Sequence, residues 1–204
     1  MKNIVVIPNF KQDENQPNQP FVDNCINSWK SWCDKHDVKL FVIEDKLFDF
    51  DEVSPQMQKM WSVDVMEHND VEYDQIAQVD YDTFILPHCP NFFEMTNDNF
   101  SAVLDNGFGP SLNMTMRVFE DNWFSHMKGK VTWDTYFNSG FIVFNKKHKE
   151  VFEKVKNFYF DEGDKWIDVH SKYNMGNRNE VLRHLNDQTI LNFLIKESNL
   201  EITY

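Results

Sequence analysis

Three short apolar runs, separated by stretches of helical spacing, leave this chain few ways to fold. Ile4 to Ile7 is continuous and closed by Pro8 and Asn9, as a strand buried on both faces would be. After a polar segment from Lys11 to Pro20, residues Phe21, Cys25, Trp29 and Trp32 or Cys33 recur at the interval that lays one helical stripe on a sheet. Leu40 to Ile43 reads as the next strand. Strand, helix, strand in that order implies a parallel pair joined by a crossover helix. Ser54 before Pro55 marks a helix start, with Met57, Met60, Trp61 and Val65 as its buried side. The third run, Asp74 to Val79, is expected to be a central strand.

The rest of the chain continues the alternation. Ala102 to Leu104 and Phe141 to Phe144 are further strand candidates, and Leu200 to Thr203 is a last one. Helices are expected near His148 to Phe160 and Asn179 to Ile195, while Gly107 to Thr135 shows no regular pattern. The fold class is therefore α/β: a mostly parallel central sheet flanked by helices, with residues 1–204 forming one domain. At this length, 41% apolar residues with 19 Phe and 6 Trp supply a well-buried core.

Charge narrows the partners. A net charge of -13 repels nucleic-acid backbones and anionic membrane surfaces, so neither is an expected partner. A phosphate-bearing ligand in that field needs a divalent cation, a local Lys or Arg, or helix amino termini. Cys25, Cys33 and Cys89 form no disulfide or zinc pattern and fit reduced thiols. With no signal peptide and no transmembrane run, a cytoplasmic location is expected, and the sequons at Asn99 and Asn113 carry no weight.

Two Asp-x-Asp triplets occur, and context separates them. Asp49-Phe50-Asp51 lies among charged residues with no strand leading into it and reads as a solvated turn. Asp80-Tyr81-Asp82 ends an apolar strand, and Phe84-Ile85-Leu86 is expected to resume burial after it. Ligands of open α/β sheets gather outside the carboxyl ends of strands, where these two aspartates would lie. In an extended segment residues i and i+2 point the same way, so Asp80 and Asp82 can share a hard cation while Tyr81 faces away. Two strand-end carboxylates that cap a neighbouring helix or face water are the plainer alternative.

Two further segments carry polar groups beside buried elements, one before a strand and one at a helix start. In Tyr136 to Asn145, Asn138 offers a donor and an acceptor, and Gly140 lets the backbone approach a ligand closely; a turn entering a strand is the alternative. In Asn186-Asp187-Gln188-Thr189-Ile190-Leu191-Asn192, an Asp-Gln pair at a helix start can bond sugar hydroxyls, or Asn186 or Asp187 simply caps the helix.

In order and content these segments resemble the glycosyltransferase A (GT-A) fold, a single Rossmann-like domain, and within it the glycogenin-like and galactosyltransferase-like family eight. The resemblance implies a metal-dependent transferase that moves a sugar, most simply from a UDP-sugar, to an acceptor hydroxyl on a glycan, a lipid-linked molecule or a protein, with retention at the anomeric carbon. It implies Mn2+ or Mg2+ at Asp80 and Asp82, with Asp80 also reaching the ribose. It places Pro8, Asn9 and Phe10 along the base, Lys59 near the donor phosphates and Tyr81 with the donor. Asn138 would touch the donor sugar or the acceptor, Asp187 would hold donor-sugar hydroxyls, and Gln188 would lie beneath the anomeric carbon.

The family's closing histidine, glycine and lysine motif does not occur before Tyr204. Either the carboxyl-terminal part is absent, or another residue does that work, or activity is weak; His170 and His184 are the nearest histidines. A rival resemblance is to haloacid dehalogenase-type phosphatases. There Asp80 would be the nucleophile and Asp82 the acid and base, with Gly163-Asp164-Lys165-Trp166-Ile167-Asp168 as the later acidic element. A nucleotide-sugar binding module without turnover is the third possibility.

Overall fold

A computed structural model describes residues 2–11, 19–105, 110–172 and 187–204. A 6-stranded sheet forms the middle layer, in the order β2-β1-β3-β5-β4-β6. Strands β1 (Ile4–Lys11), β2 (Lys39–Asp45) and β3 (Gln75–Val79) are parallel neighbours, with β1 central among them. Strand β5 (Phe137–Asn145) runs antiparallel to both β3 and β4 (Phe100–Leu104), and β6 (Ile202–Thr203) is parallel to β4. Only β5 is reversed, so the sheet is mostly parallel.

Alternation along the strands sorts side chains onto two cores. Val5, Ile7, Ala77, Val79 and Val143 face α1 (Pro20–His36) and the Phe92–Met95 turn. Ile4, Val6, Ile76, Ile142 and Phe144 face a larger layer. That layer holds α2 (Pro55–Gln58), α3 (Ser62–His68), α4 (Pro110–Asn122), α5 (Lys149–Asp161), α6 (Gly163–Lys172) and α7 (Asp187–Glu197). None of the described helices is long and apolar enough to cross a membrane.

Several expectations need correction. Strand β1 continues through Pro8 and Asn9 to Lys11, because β2 keeps pairing beside it after a register shift. The α1 stripe starts at Val22, which is buried, while Phe21 is 47% exposed. The helix expected from Ser54 does start there, with its hydroxyl accepting from Met57 N, but tightens into a 3-10 turn at Lys59–Trp61 before α3. Within it Val63 and Met66 are buried and Trp61 and Val65 only partly so. Of Phe84-Ile85-Leu86 only Ile85 is buried; Phe84 is 59% and Leu86 53% exposed. The segment that showed no pattern contains α4. Residues 179–186 of the expected last helix, with His184 and Asn186, lie outside the described residues. All three cysteines are free, and burial, then Asp34, pushes the Cys33 thiol up to about 12.

Candidate active site

The carboxyl ends of β1 and β3 open into a cleft of about 350 Å³. Its walls are the end of β1 from Pro8 to Lys11, Gln19 and Val22 at the start of α1, Pro55, Gln56 and Lys59, and the turn Asp80-Tyr81-Asp82. Every residue expected along a nucleotide, namely Pro8, Asn9, Phe10, Lys59, Asp80, Tyr81 and Asp82, lines this one cleft.

The aspartate turn differs from the extended geometry expected of it. Pairing of β3 with β5 ends at Val79, Asp80 N still donates to Gly140 O at 2.9 Å, and the chain then folds back. Thr83 N donates to Asp80 O at 3.0 Å and the Thr83 hydroxyl to the same oxygen at 2.6 Å, which closes a four-residue turn. Tyr81 therefore borders the cleft together with the aspartates instead of facing away. Trp29 Nε1 donates to Thr83 O and Oγ1 at 3.1 and 3.0 Å, and so ties the turn to α1. The other triplet, Asp49 to Asp51, lies in a turn, as expected.

Opposite the turn stands a β-bulge. The β4–β5 register moves from Ala102↔Ile142 to Val103↔Asn138, which takes Ser139, Gly140 and Phe141 out of pairing with β4. Asn138 Oδ1 accepts from Gly140 N at 2.6 Å, so one of that oxygen's two lone pairs is engaged inside the bulge. A Cβ on Gly140 would lie 2.7 Å from Asp80 Oδ2. The close approach that glycine permits is thus that of the Asp80 carboxylate.

Lys59 joins the three segments. Its ammonium lies 3.0 Å from Asp80 Oδ1, 3.0 Å from Asp187 Oδ2, 3.3 Å from Ser139 O and 3.2 Å from Ser139 Oγ. The residue is 5% exposed. Burial alone would lower the ammonium's pKa, but Asp187 and then Asp80 outweigh it and hold it raised. Asp187, also 5% exposed, accepts a second bond at Oδ2 from the Ser139 hydroxyl at 2.7 Å. Next to it, Gln188 Oε1 accepts from Ser139 N at 3.1 Å, while Nε2 donates to Asp105 Oδ2 at 2.7 Å.

Ser139, Asp105 and Asn192 had been assigned no role. Asn192, buried on α7, accepts from Phe137 N and donates to Phe137 O, both at 2.9 Å, and donates to Gln188 O at 2.8 Å. These bonds fix the start of β5 against α7. Asp164, the later carboxylate of the phosphatase pattern, opens helix α6 instead of ending a strand.

As to a metal, the donors fit a hard ion: Asp80 and Asp82 offer carboxylate oxygens on one turn beside the cleft. Among the described residues no group of three His, Cys, Asp or Glu gathers around one point. Two carboxylates suit Mg2+ or Mn2+, which take their remaining ligands from phosphate and water.

Neither a protein-family model nor a curated protein matches the chain. Among solved structures it is similar to a glycosyltransferase involved in the glycosylation of the major capsid of PBCV-1, with TM-score 0.54 and 9% identity. The match covers 78% of this chain and 66% of that one. At that identity the likeness speaks for the fold, an α/β domain with a mostly parallel sheet flanked by helices.

Proposed function

We propose that this chain is a glycosyltransferase that moves a sugar from a nucleoside diphosphate donor, UDP-linked in the simplest case, to an acceptor hydroxyl. One observation carries the reading. A cleft at the carboxyl edge of the sheet joins residues suited to a base and ribose, a carboxylate pair suited to a cation, and, through Lys59, the Asp187–Gln188 pair suited to a sugar. The fold shared with a glycosyltransferase supports it. The acceptor is a glycan, a lipid-linked molecule or a protein, and the family eight resemblance favours retention.

In this reading the base and ribose lie against Pro8, Asn9 and Phe10, and Tyr81 closes the cleft over them. Asp80 and Asp82 would hold Mn2+ or Mg2+, which would supply positive charge to the leaving diphosphate. Gln188, held from both sides by Ser139 and Asp105, presents a fixed carboxamide beneath the sugar. Such fixed dipoles need no reorganisation when charge develops. The Asn138 amide nitrogen is the donor left for sugar or acceptor.

Calorimetric titration with UDP and GDP, with and without Mn2+, tests the site. We expect one nucleotide to bind with Mn2+ present, and Asp82→Asn to weaken it about tenfold or more, the scale of a lost charge-assisted contact. If neither nucleotide binds while the protein hydrolyses a simple phosphate ester with Mg2+, the transferase reading fails and the phosphatase one takes its place.

A further inference from the structure

We propose that Lys59 is a tethered counter-ion that holds Asp80 and Asp187 together and weakens binding of a divalent cation until a diphosphate arrives. The inference rests on the reading of Asp80 and Asp82 as cation ligands. It reassigns Lys59, which the family resemblance would place on the donor phosphates.

An ammonium has three N–H donors. Those of Lys59 are taken up by four oxygens, on Asp80, Asp187 and Ser139, at 3.0 to 3.3 Å. None is left for a phosphate unless one of those oxygens gives up its place, a carboxylate or the Ser139 pair. Releasing Asp187 is costly, because its side chain is 7% exposed and would be left buried without its cation. The ammonium therefore serves the site through its charge and its reach.

Charge counting gives the consequence. Asp80, Asp187 and Lys59 together carry one negative charge, and Asp82, exposed on the same turn, adds a second. Asp105 lies one residue further out, where its Oδ2 accepts from Gln188 Nε2 at 2.7 Å. A bare cation approaching Asp80 meets a carboxylate already paired and is repelled by the fixed ammonium behind it. A diphosphate brings its own oxygens and negative charge, so the cation it accompanies needs less from the protein. Removing the ammonium removes the repulsion and frees an Asp80 oxygen. At these distances, one unit of charge changes divalent affinity by about tenfold or more even under strong screening.

The test needs no turnover and no nucleotide. Mn2+ is titrated into wild type, Lys59→Met and the Lys59→Met/Asp80→Asn double variant, with free Mn2+ read by electron paramagnetic resonance. Lys59→Met is expected to bind Mn2+ about tenfold more tightly than wild type, and the double variant to lose that gain. Lys59→Met binding no tighter than wild type, or a gain that survives Asp80→Asn, would overturn the proposal. Should Lys59→Met not fold, Asp187→Asn decides. It leaves Asp80 as the one carboxylate in the ammonium's contacts described above, so Mn2+ binding should weaken, and tightening would overturn the proposal. A protein that binds neither UDP nor GDP, yet gains Mn2+ affinity in Lys59→Met, would lose the transferase reading and the diphosphate step but keep Lys59 as the counter-ion that weakens cation binding.

Discussion

Asp82 and Asp187 stand on opposite walls of the same candidate site and differ in almost every physical respect. Asp82 is exposed on a turn whose side chains border an open cleft. Asp187 is buried, with one oxygen held by both Lys59 and Ser139. The same division extends to their surroundings. The wall built from β1, α2 and the Asp80–Thr83 turn presents Phe10, Gln56 and Tyr81 with exposed surface left to cover. The wall built from β5 and α7 ties its polar groups into bonds within itself and to Lys59 and Asp105, through Asn138, Ser139, Gln188 and Asn192. One wall meets a ligand with exposed surface, and the other with groups already bonded into a fixed geometry. Changes on the second should therefore cost stability, and changes on the first should cost binding alone.

The strongest test of that division is Asn192→Ala, which strips the partners from both backbone groups of Phe137 inside the core. We expect a loss of about 2–4 kcal/mol in urea unfolding, as for several buried bonds broken at once.

Acid should reach the sheet beyond the site next. Burial, then Lys147, holds the His148 ring well below its usual value, at about 4, and its Nδ1 accepts from Asn145 N at the end of β5. A folded pKa below the unfolded one means that the unfolded chain binds more protons between pH 6.5 and about 4. Stability is then full above pH 6.5 and falls as pH drops toward 4. The loss should be on the order of 2–3 kcal/mol, and His148→Gln should flatten the profile.

Gly140→Ala comes third, since its methyl would meet Asp80 Oδ2 and Asn138 Oδ1 at 2.7 Å and Asp80 Cγ at 3.3 Å. A stability cost of about 1–2 kcal/mol, together with weakened Mn2+ and nucleotide binding, is expected, because Asp80 must move. Asp82→Asn closes the series: its melting should lie within about 0.5 kcal/mol of wild type while nucleotide binding falls. A large stability loss there would erase the contrast between the walls.

The receiving wall was the more legible in the sequence. Continuous apolar runs exposed β1, β2 and β3, and once those strands are parallel, their carboxyl ends bring Pro8 to Phe10 and Asp80 to Asp82 to one edge. The holding wall was less so. Asn138, Gly140, Asp187 and Gln188 stood out beside buried elements, but what holds the last two did not: Asp187 is held by Lys59 and Ser139, and Gln188 by Ser139 and Asp105, 49 and 83 positions away. The 3-10 turn was hidden for a similar reason. Gln58, buried, reaches across to the backbone of Leu47, Phe48 and Val53, and Lys59 follows it toward Asp80, neither of which a helical spacing of Met57, Met60 and Val65 records. The bulge in β5 leaves no local mark either, because it is a mismatch between two strands.

The single reversed strand has a consequence for how the chain is made. β4 has β5 and β6 as its only neighbours, and both come later in the chain. During synthesis β1, β2 and β3 can pair as soon as they emerge, whereas β4 waits as an open edge until residues Phe137–Asn145 arrive. β5 then inserts between β3 and β4 and joins the two parts of the sheet in one step. The bulge beside Asp80 is part of that inserting strand, so the site comes into being late in folding, with the joining of the sheet.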